Sequence, residues 1–169
     1  MTLPSALPEI VSGGQTGADR AALDWALRRG VPHGGWCPRG RLAEDGPLAP
    51  LYLLRETPSA DYAQRTEWNV RDSGGTVIFS LALMLSGGSK TTAEWARHYG
   101  RPLLHLARAA GGDPAETLRR FVREHAVARL NEAGPRASHE PAVGAFVARV
   151  LEAAFPPSFG GDAAAAKGH

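Results

Sequence analysis

Ile10-Val11-Ser12-Gly13-Gly14-Gln15-Thr16-Gly17-Ala18-Asp19-Arg20 is the stretch that decides the fold. A short β-branched run halts at two glycines, a polar turn follows, and an apolar helical pattern continues from Ala21 to Leu27. That order is strand, tight turn, helix. Glycine reaches backbone conformations closed to other residues and lets another molecule approach the main chain. A helix starting here leaves its first N–H groups without intrahelical partners. Together with the helix dipole, those donors suit phosphate or another anion. Thr16 is placed to cap the helix, and Asp19 and Arg20 stand beside the mouth of the turn. An ordinary βα turn needs a glycine for geometry alone. Two adjacent glycines among Gln, Thr, Asp and Arg favour a ligand loop. The Gly-Lys-Ser/Thr ending of a Walker loop is missing, and the third glycine is misplaced for the dinucleotide fingerprint.

The same grammar recurs twice. Thr76-Val77-Ile78-Phe79-Ser80-Leu81 is nearly continuous in apolar character, as a central parallel strand covered on both faces should be. It is followed by Ser86-Gly87-Gly88-Ser89-Lys90-Thr91-Thr92 and a helix expected over about 92–99. A strand over 127–131 leads into the polar turn Ala133-Gly134-Pro135-Arg136-Ala137-Ser138 and a closing helix over 142–154. Further strands are expected at 9–12, around Trp36, at 51–56 and at 103–106, with helices over 17–29 and 62–72. Another begins at Asp113-Pro114-Ala115-Glu116, with an N-cap, proline at the first helical position and glutamate three after the cap. Alternating strands and helices predict an α/β domain with a mainly parallel sheet. Right-handed crossovers bring successive βα turns to one sheet edge, so the turns at Gly13, Gly87 and Gly134 should gather where ligands bind in this architecture.

Composition narrows the function. The chain of 169 residues fits one domain, expected over 9–155 with flexible termini at 1–8 and 156–169. A formal charge of +2 without a basic run argues against non-specific nucleic-acid binding. No apolar run approaches a membrane span, and the start lacks the blocks of a secretory signal. Cys37, the one cysteine, excludes an internal disulfide and agrees with a cytoplasmic location. Neither it nor His33, His98, His105, His125, His139 or His169 shows ligand spacing, so no directly bound metal is expected. Arg39 and Arg41, in the glycine-rich piece 33–41, read equally as anion contacts or solvated loop charges. Arg65 and Asn69 lie four apart on a helix, with Thr66 on the adjoining face.

These residues carry a family resemblance. Gly13 to Asp24, Gly35 to Arg41 and Ala43-Glu44-Asp45-Gly46 resemble the molybdenum carrier family, also called circularly permuted YpsA, of the SLOG superfamily. So do Arg65 to Val70, Gly74 to Ile78, Gly87-Gly88-Ser89, and Leu130-Asn131 with Ala133 to Arg136 and Ser138. The resemblance implies a Rossmann-like three-layer sandwich with helices on both faces. It implies a nucleotide-like or pterin-phosphate ligand, with molybdenum cofactor as a cargo, and a homo-oligomer, dimer or tetramer. Two positions depart from the pattern: Gly74 stands where an aspartate is expected, and Glu132 where an apolar strand end is expected. Gly87 to Glu94 also partly echoes the Gly-Gly-x-Gly-Thr-x-x-Glu motif of the superfamily's phosphoribohydrolases, with Lys90 replacing the third glycine.

Two classes of function follow. A carrier or sensor would hold a phosphate-bearing small molecule with Gly13, Gly14, Gln15, Thr16, Gly17, Asp19, Arg20, Arg39, Arg65, Asn69, Gly87, Gly88, Ser89, Lys90, Thr91, Thr92, Gly134, Pro135, Arg136 and Ser138. A hydrolase would cleave a base–ribose bond with Glu94 as acid or charge stabiliser. Neither Glu94 nor Asp19 has an evident His or Lys relay, so binding is the favoured reading. A protein-interaction module using Trp68 and Trp95 is the weaker third class.

Overall fold

Strand and helix alternate as the pattern requires. The computed structural model describes residues 7–157, and the expectations for 1–6 and 158–169 lie outside the described residues. The elements are β1 (Glu9–Val11), α1 (Ala18–Arg29), β2 (His33–Gly34), β3 (Trp36–Cys37), β4 (Arg55–Glu56), α2 (Tyr62–Arg71), β5 (Gly75–Ser80), α3 (Gly87–His98), β6 (Leu103–Ala107), α4 (Pro114–Glu124), β7 (Arg129–Ala133) and α5 (Val143–Ala154). Five strands form a parallel sheet in the order β2-β1-β7-β5-β6, and β3 and β4 pair separately, also in parallel. β5 is buried along its whole length, which accounts for its nearly continuous apolar character.

The two faces of the sheet differ in chemistry. Successive residues on a strand point to opposite sides. Ile10, Val77, Phe79 and Leu130 join Trp25 of α1, Leu118 and Phe121 of α4, and Phe146, Val147 and Leu151 of α5 in the main apolar core. The alternate positions Thr76 and Asn131 are buried but polar, and the Asn131 amide donates to Thr76 Oγ1 at 3.2 Å. On that side α2 and α3 pack together and bury Arg65, Asn69, Ser89 and Thr92. Two apolar layers thus close one half of the sandwich, and the other half keeps polar groups under cover near the sheet's carboxyl edge.

Strand order creates a crevice there. From β1 the chain moves outward to β2, and from β5 it moves outward to β6 in the opposite sense. β7, the last strand in sequence, lies between β1 and β5. Connections that diverge in this way leave a gap above the strand between them.

The structure departs from the sequence reading in four places, each for a local reason. α3 begins at Gly87, five residues before the expected start, because the glycines form its first turn. Only Arg55 and Glu56 of the expected 51–56 strand pair. The Arg41 guanidinium donates to the carbonyls of Leu48, Ala49, Tyr52 and Leu54 and holds that segment as a loop. β7 runs on to Ala133, carrying Glu132 into the sheet. Thr16 does not cap α1; Gly17 occupies the cap position, and Thr16 Oγ1 instead donates to Glu44 and accepts from Ala137 N. The expected cap of α4 is present: Asp113 accepts from Glu116 N at 3.1 Å.

Candidate functional site

The three glycine turns meet around one cavity of about 290 Å³ at the carboxyl edge of the sheet. That volume is near the lower end for small-molecule sites, roughly 300 Å³ upward. Gly13, Gln15 and Asp19 line it from the β1–α1 turn, Gly88, Ser89 and Thr92 from α3, Gly134, Pro135 and Arg136 from beyond β7, and Arg65 and Asn69 from α2. Thr66, Asn131, Glu132, Met84, His139 and Glu140 complete much of the wall.

Glycine is required where the turns cross. Gly17 has φ +80°, and a Cβ there would lie 2.5 Å from Pro135 O. A Cβ on Gly134 would lie 2.6 Å from both Ala18 Cβ and Phe79 O. The β1–α1 and β7–α5 turns are therefore in main-chain contact.

That contact changes what the first turn can do. Its N–H groups are largely spent inside the protein. Gly14 N donates to Ser12 Oγ, Gln15 N to Asp19 Oδ2, Thr16 N to Gln15 Oε1 and Ala18 N to Pro135 O. Arg20 is spent on Gly14 O and on Asp45, with which it forms an ion pair at 3.0 Å. Ser138 donates to the Glu44 carboxylate through both N and Oγ. The Thr16 hydrogen bond, followed by those from Ser138, holds the Glu44 carboxyl below its usual range. Gly14, Thr16, Gly17, Arg20 and Ser138 stand outside the lining, as do Arg39, Gly87, Lys90 and Thr91. Arg41 also turns inward, onto its own loop.

α3 presents the opposite case. Among the described residues, the N–H groups of Gly87, Gly88 and Ser89 have no hydrogen-bond partner, and Ser86 provides no side-chain cap. Gly88 and Ser89 line the cavity. Free amides at the positive end of a 12-residue helix are anion donors.

Arg65 faces the same space from α2. It is 8% exposed, donates Nη1 to Gly13 O at 2.8 Å and Nε to Thr66 Oγ1 at 3.3 Å, and lies over the Tyr62 ring, which Arg136 also approaches. Burial pulls its guanidinium below the ordinary value, and the nearby Asp19 charge opposes that. Asn69 grips β3 instead: Oδ1 accepts from Trp36 N and Nδ2 donates to Trp36 O.

Two carboxyls occupy the α1 side. Burial pushes Asp19 up to about 6, against the pull of Arg65, the Gln15 N–H, Arg20 and Arg136. Glu132 is fully buried, and burial, then the Asp19 charge, lift it well above the carboxylate range. Glu94 lies elsewhere, exposed on α3 beside a shallow hollow with Thr91, Trp95 and His98. Glu140 was missed by the sequence reading; its carboxylate accepts from Leu81 N and Ala82 N just beyond β5. Its signal was weak, a lone acid past the end of the third turn. Among the described residues no group of three His, Cys, Asp or Glu side chains is arranged for a metal ion.

The model of the circularly permutated YpsA SLOG family matches residues 10–155. The chain belongs to that family. A crystal structure named "Putative molybdenum carrier protein" from Syntrophus aciditrophicus SB is similar to this family member at 43% identity, with TM-score 0.86, over 89% of this chain and 96% of the other. The Rossmann-like sandwich of this YpsA-type domain is thus shared with that structure. No protein with a curated description matches the chain. Among the described residues of this SLOG protein, no helix is long and apolar enough to cross a membrane.

Proposed function

We propose that this chain binds a phosphate-bearing, nucleotide-like or pterin ligand, with molybdenum cofactor as a cargo of that class, and acts as a carrier or sensor. One observation carries the reading: the unpaired amides at the start of α3 and the buried Arg65 guanidinium border the same cavity. A helix N-terminus and a guanidinium both grip an oxyanion without covalent chemistry. The name of the Syntrophus relative supports the cargo class.

Thermal shift with inorganic phosphate, nucleoside monophosphates and pterin phosphates tests it. A saturating ligand raises apparent stability by mass action, about 2.7 kcal/mol at a hundredfold excess over Kd. The absence of a shift with every one of these probes overturns the proposal. Native mass spectrometry of freshly purified protein reads out any retained small molecule. It also tests the homo-oligomer, dimer or tetramer, that the resemblance supports.

A base–ribose hydrolase is the second reading. Glu94 stands outside the cavity, so the observation that favours hydrolysis is Asp19, a lining carboxyl lifted to about 6. Chromatography for free base after incubation with nucleoside monophosphates separates the two. Turnover that Asp19→Asn abolishes establishes the hydrolase; unchanged nucleotide leaves the carrier.

A further inference from the structure

Native proteins rarely leave buried polar atoms unpaired, and each such atom calls for an explanation. Among the described residues three buried side-chain atoms have no hydrogen-bond partner: Gln15 Nε2, Glu132 Oε1 and Glu132 Oε2. Both residues line the one cavity described above. The orphans are an amide donor on the turn after β1 and, on β7, both oxygens of a carboxyl that burial biases toward its protonated form.

The surroundings fix which atoms are free to recognise something. Gln15 Oε1 is committed to Thr16 N and Glu44 N, which sets the amide orientation and leaves Nε2 as the unused end. Asp19 gives one oxygen to Gln15 N and lines the cavity beside it. Glu132 lies close enough to Asp19 for the Asp19 charge to hold the Glu132 proton more tightly. This α1 side of the cavity brings two carboxyls and one spare amide donor together, with the Arg65 and Arg136 charges acting on Asp19. The α3 end offers N–H groups.

We infer that Gln15, Asp19 and Glu132 form a ring-reading subsite for a heterocyclic edge that presents adjacent N–H donors and a carbonyl oxygen, as a 2-amino-4-oxo-pyrimidine edge does. The inference rests on the binding reading given under Proposed function and adds the chemistry of the ligand's uncharged end. The Asp19 carboxylate, which gives up its proton before its buried neighbour Glu132, accepts the ring N–H and the exocyclic amine together. The neighbouring carbonyl accepts from Gln15 Nε2. Guanine and pterins share this edge. Adenine has an acceptor in place of the ring N–H and lacks the carbonyl, so it leaves the subsite's groups unpaired. A cavity of about 290 Å³ suits one ring system with its phosphate better than a dinucleotide.

Isothermal titration of the full chain with GMP, IMP, AMP and neopterin monophosphate tests the subsite. IMP keeps the ring N–H and carbonyl and lacks only the amine. GMP should bind at least about tenfold more tightly than AMP, with IMP between them, since one hydrogen bond to a charged group is worth about a factor of ten or more. Neopterin monophosphate bound more tightly than GMP identifies the pterin as the source of the edge, and the reverse order identifies the guanine nucleotide. Asp19→Asn and Gln15→Glu should each erase most of the GMP preference while inorganic phosphate still shifts the melting temperature. AMP bound as tightly as GMP by the unaltered chain overturns the inference and leaves the phosphate reading standing. Guanosine bound in preference to adenosine, with no response to phosphate, does the converse. Variants that weaken GMP and AMP equally mark the orphan atoms as structural and also overturn it.

Discussion

Glu132 is the residue whose chemistry departs furthest from its place in the fold. Strand alternation puts it on the same face as Leu130, which is in the core, yet it brings a carboxyl with neither oxygen bonded. Burial raises its folded pKa, so the folded state holds the proton more tightly than the unfolded chain does. Its contribution is therefore fully present below the unfolded value near 4.5 and is lost as pH rises toward and through the folded one. Glu132→Gln, which cannot ionise, should melt at a higher temperature than the parent at pH 8, with the gap narrowing towards pH 4; calorimetry across that range checks it. Each unit of upward shift corresponds to about 1.4 kcal/mol above both values. Asp19 follows the same sign over a lower window, from 3.8 to about 6, and Asp19→Asn should flatten that part of the profile. The sequence flagged Glu132 only as a break in an apolar strand. Its burial depends on α1 closing over β7, which no local pattern encodes.

At the scale of elements, one helix start is plugged and another is open. The α1 turn was the most legible ligand loop in the sequence, but Ser12, Asp19, Gln15 and Pro135 satisfy much of its backbone. The α3 turn read as a loop because glycines are poor helix formers, and tertiary contacts override that preference. The apolar run of β5 and the capping signals of α4 were legible because each depends only on near neighbours. The 51–56 segment was not, because its conformation is set by Arg41 from ten or more residues away. Two variants follow. Gly88→Asp adds a Cβ into open space at the start of α3, where a negative charge favours the helix by about 0.3–1 kcal/mol. It should leave the melting temperature unchanged or raised while cutting phosphate affinity about tenfold or more, since the charge occupies the anion's place. Unaltered phosphate binding in that variant removes α3 from the site. Asp113→Ala should cost about 1 kcal/mol in urea denaturation, because it frees the Glu116 N–H.

For the whole molecule, the convergence of distant turns follows from strand order more than from any motif. Alternation of strands and helices was enough to predict a parallel α/β sheet. The position of β7 between β1 and β5 was not written in any local pattern, and it is what brings Asn131 to Arg136 between the other two turns. Gly17→Ala tests that junction. The added methyl meets the Pro135 carbonyl at 2.5 Å and must adopt a positive φ, so the variant should lose several kcal/mol, on the order of a core-disrupting change. Gly46→Ala, also at positive φ but with nothing within 4 Å, should lose less, which separates the clash from backbone strain.

The late position of β7 also has a consequence for synthesis. As the polypeptide leaves the ribosome, β1 with β2 and β5 with β6 emerge as two half-built ribbons, and each keeps an unpaired border until residues 129–133 arrive to join them. Exposed borders of that kind recruit other strands. Nascent chains stalled before residue 129 should therefore engage holding chaperones and resist folding, and release should come within a few residues of β7 clearing the exit tunnel.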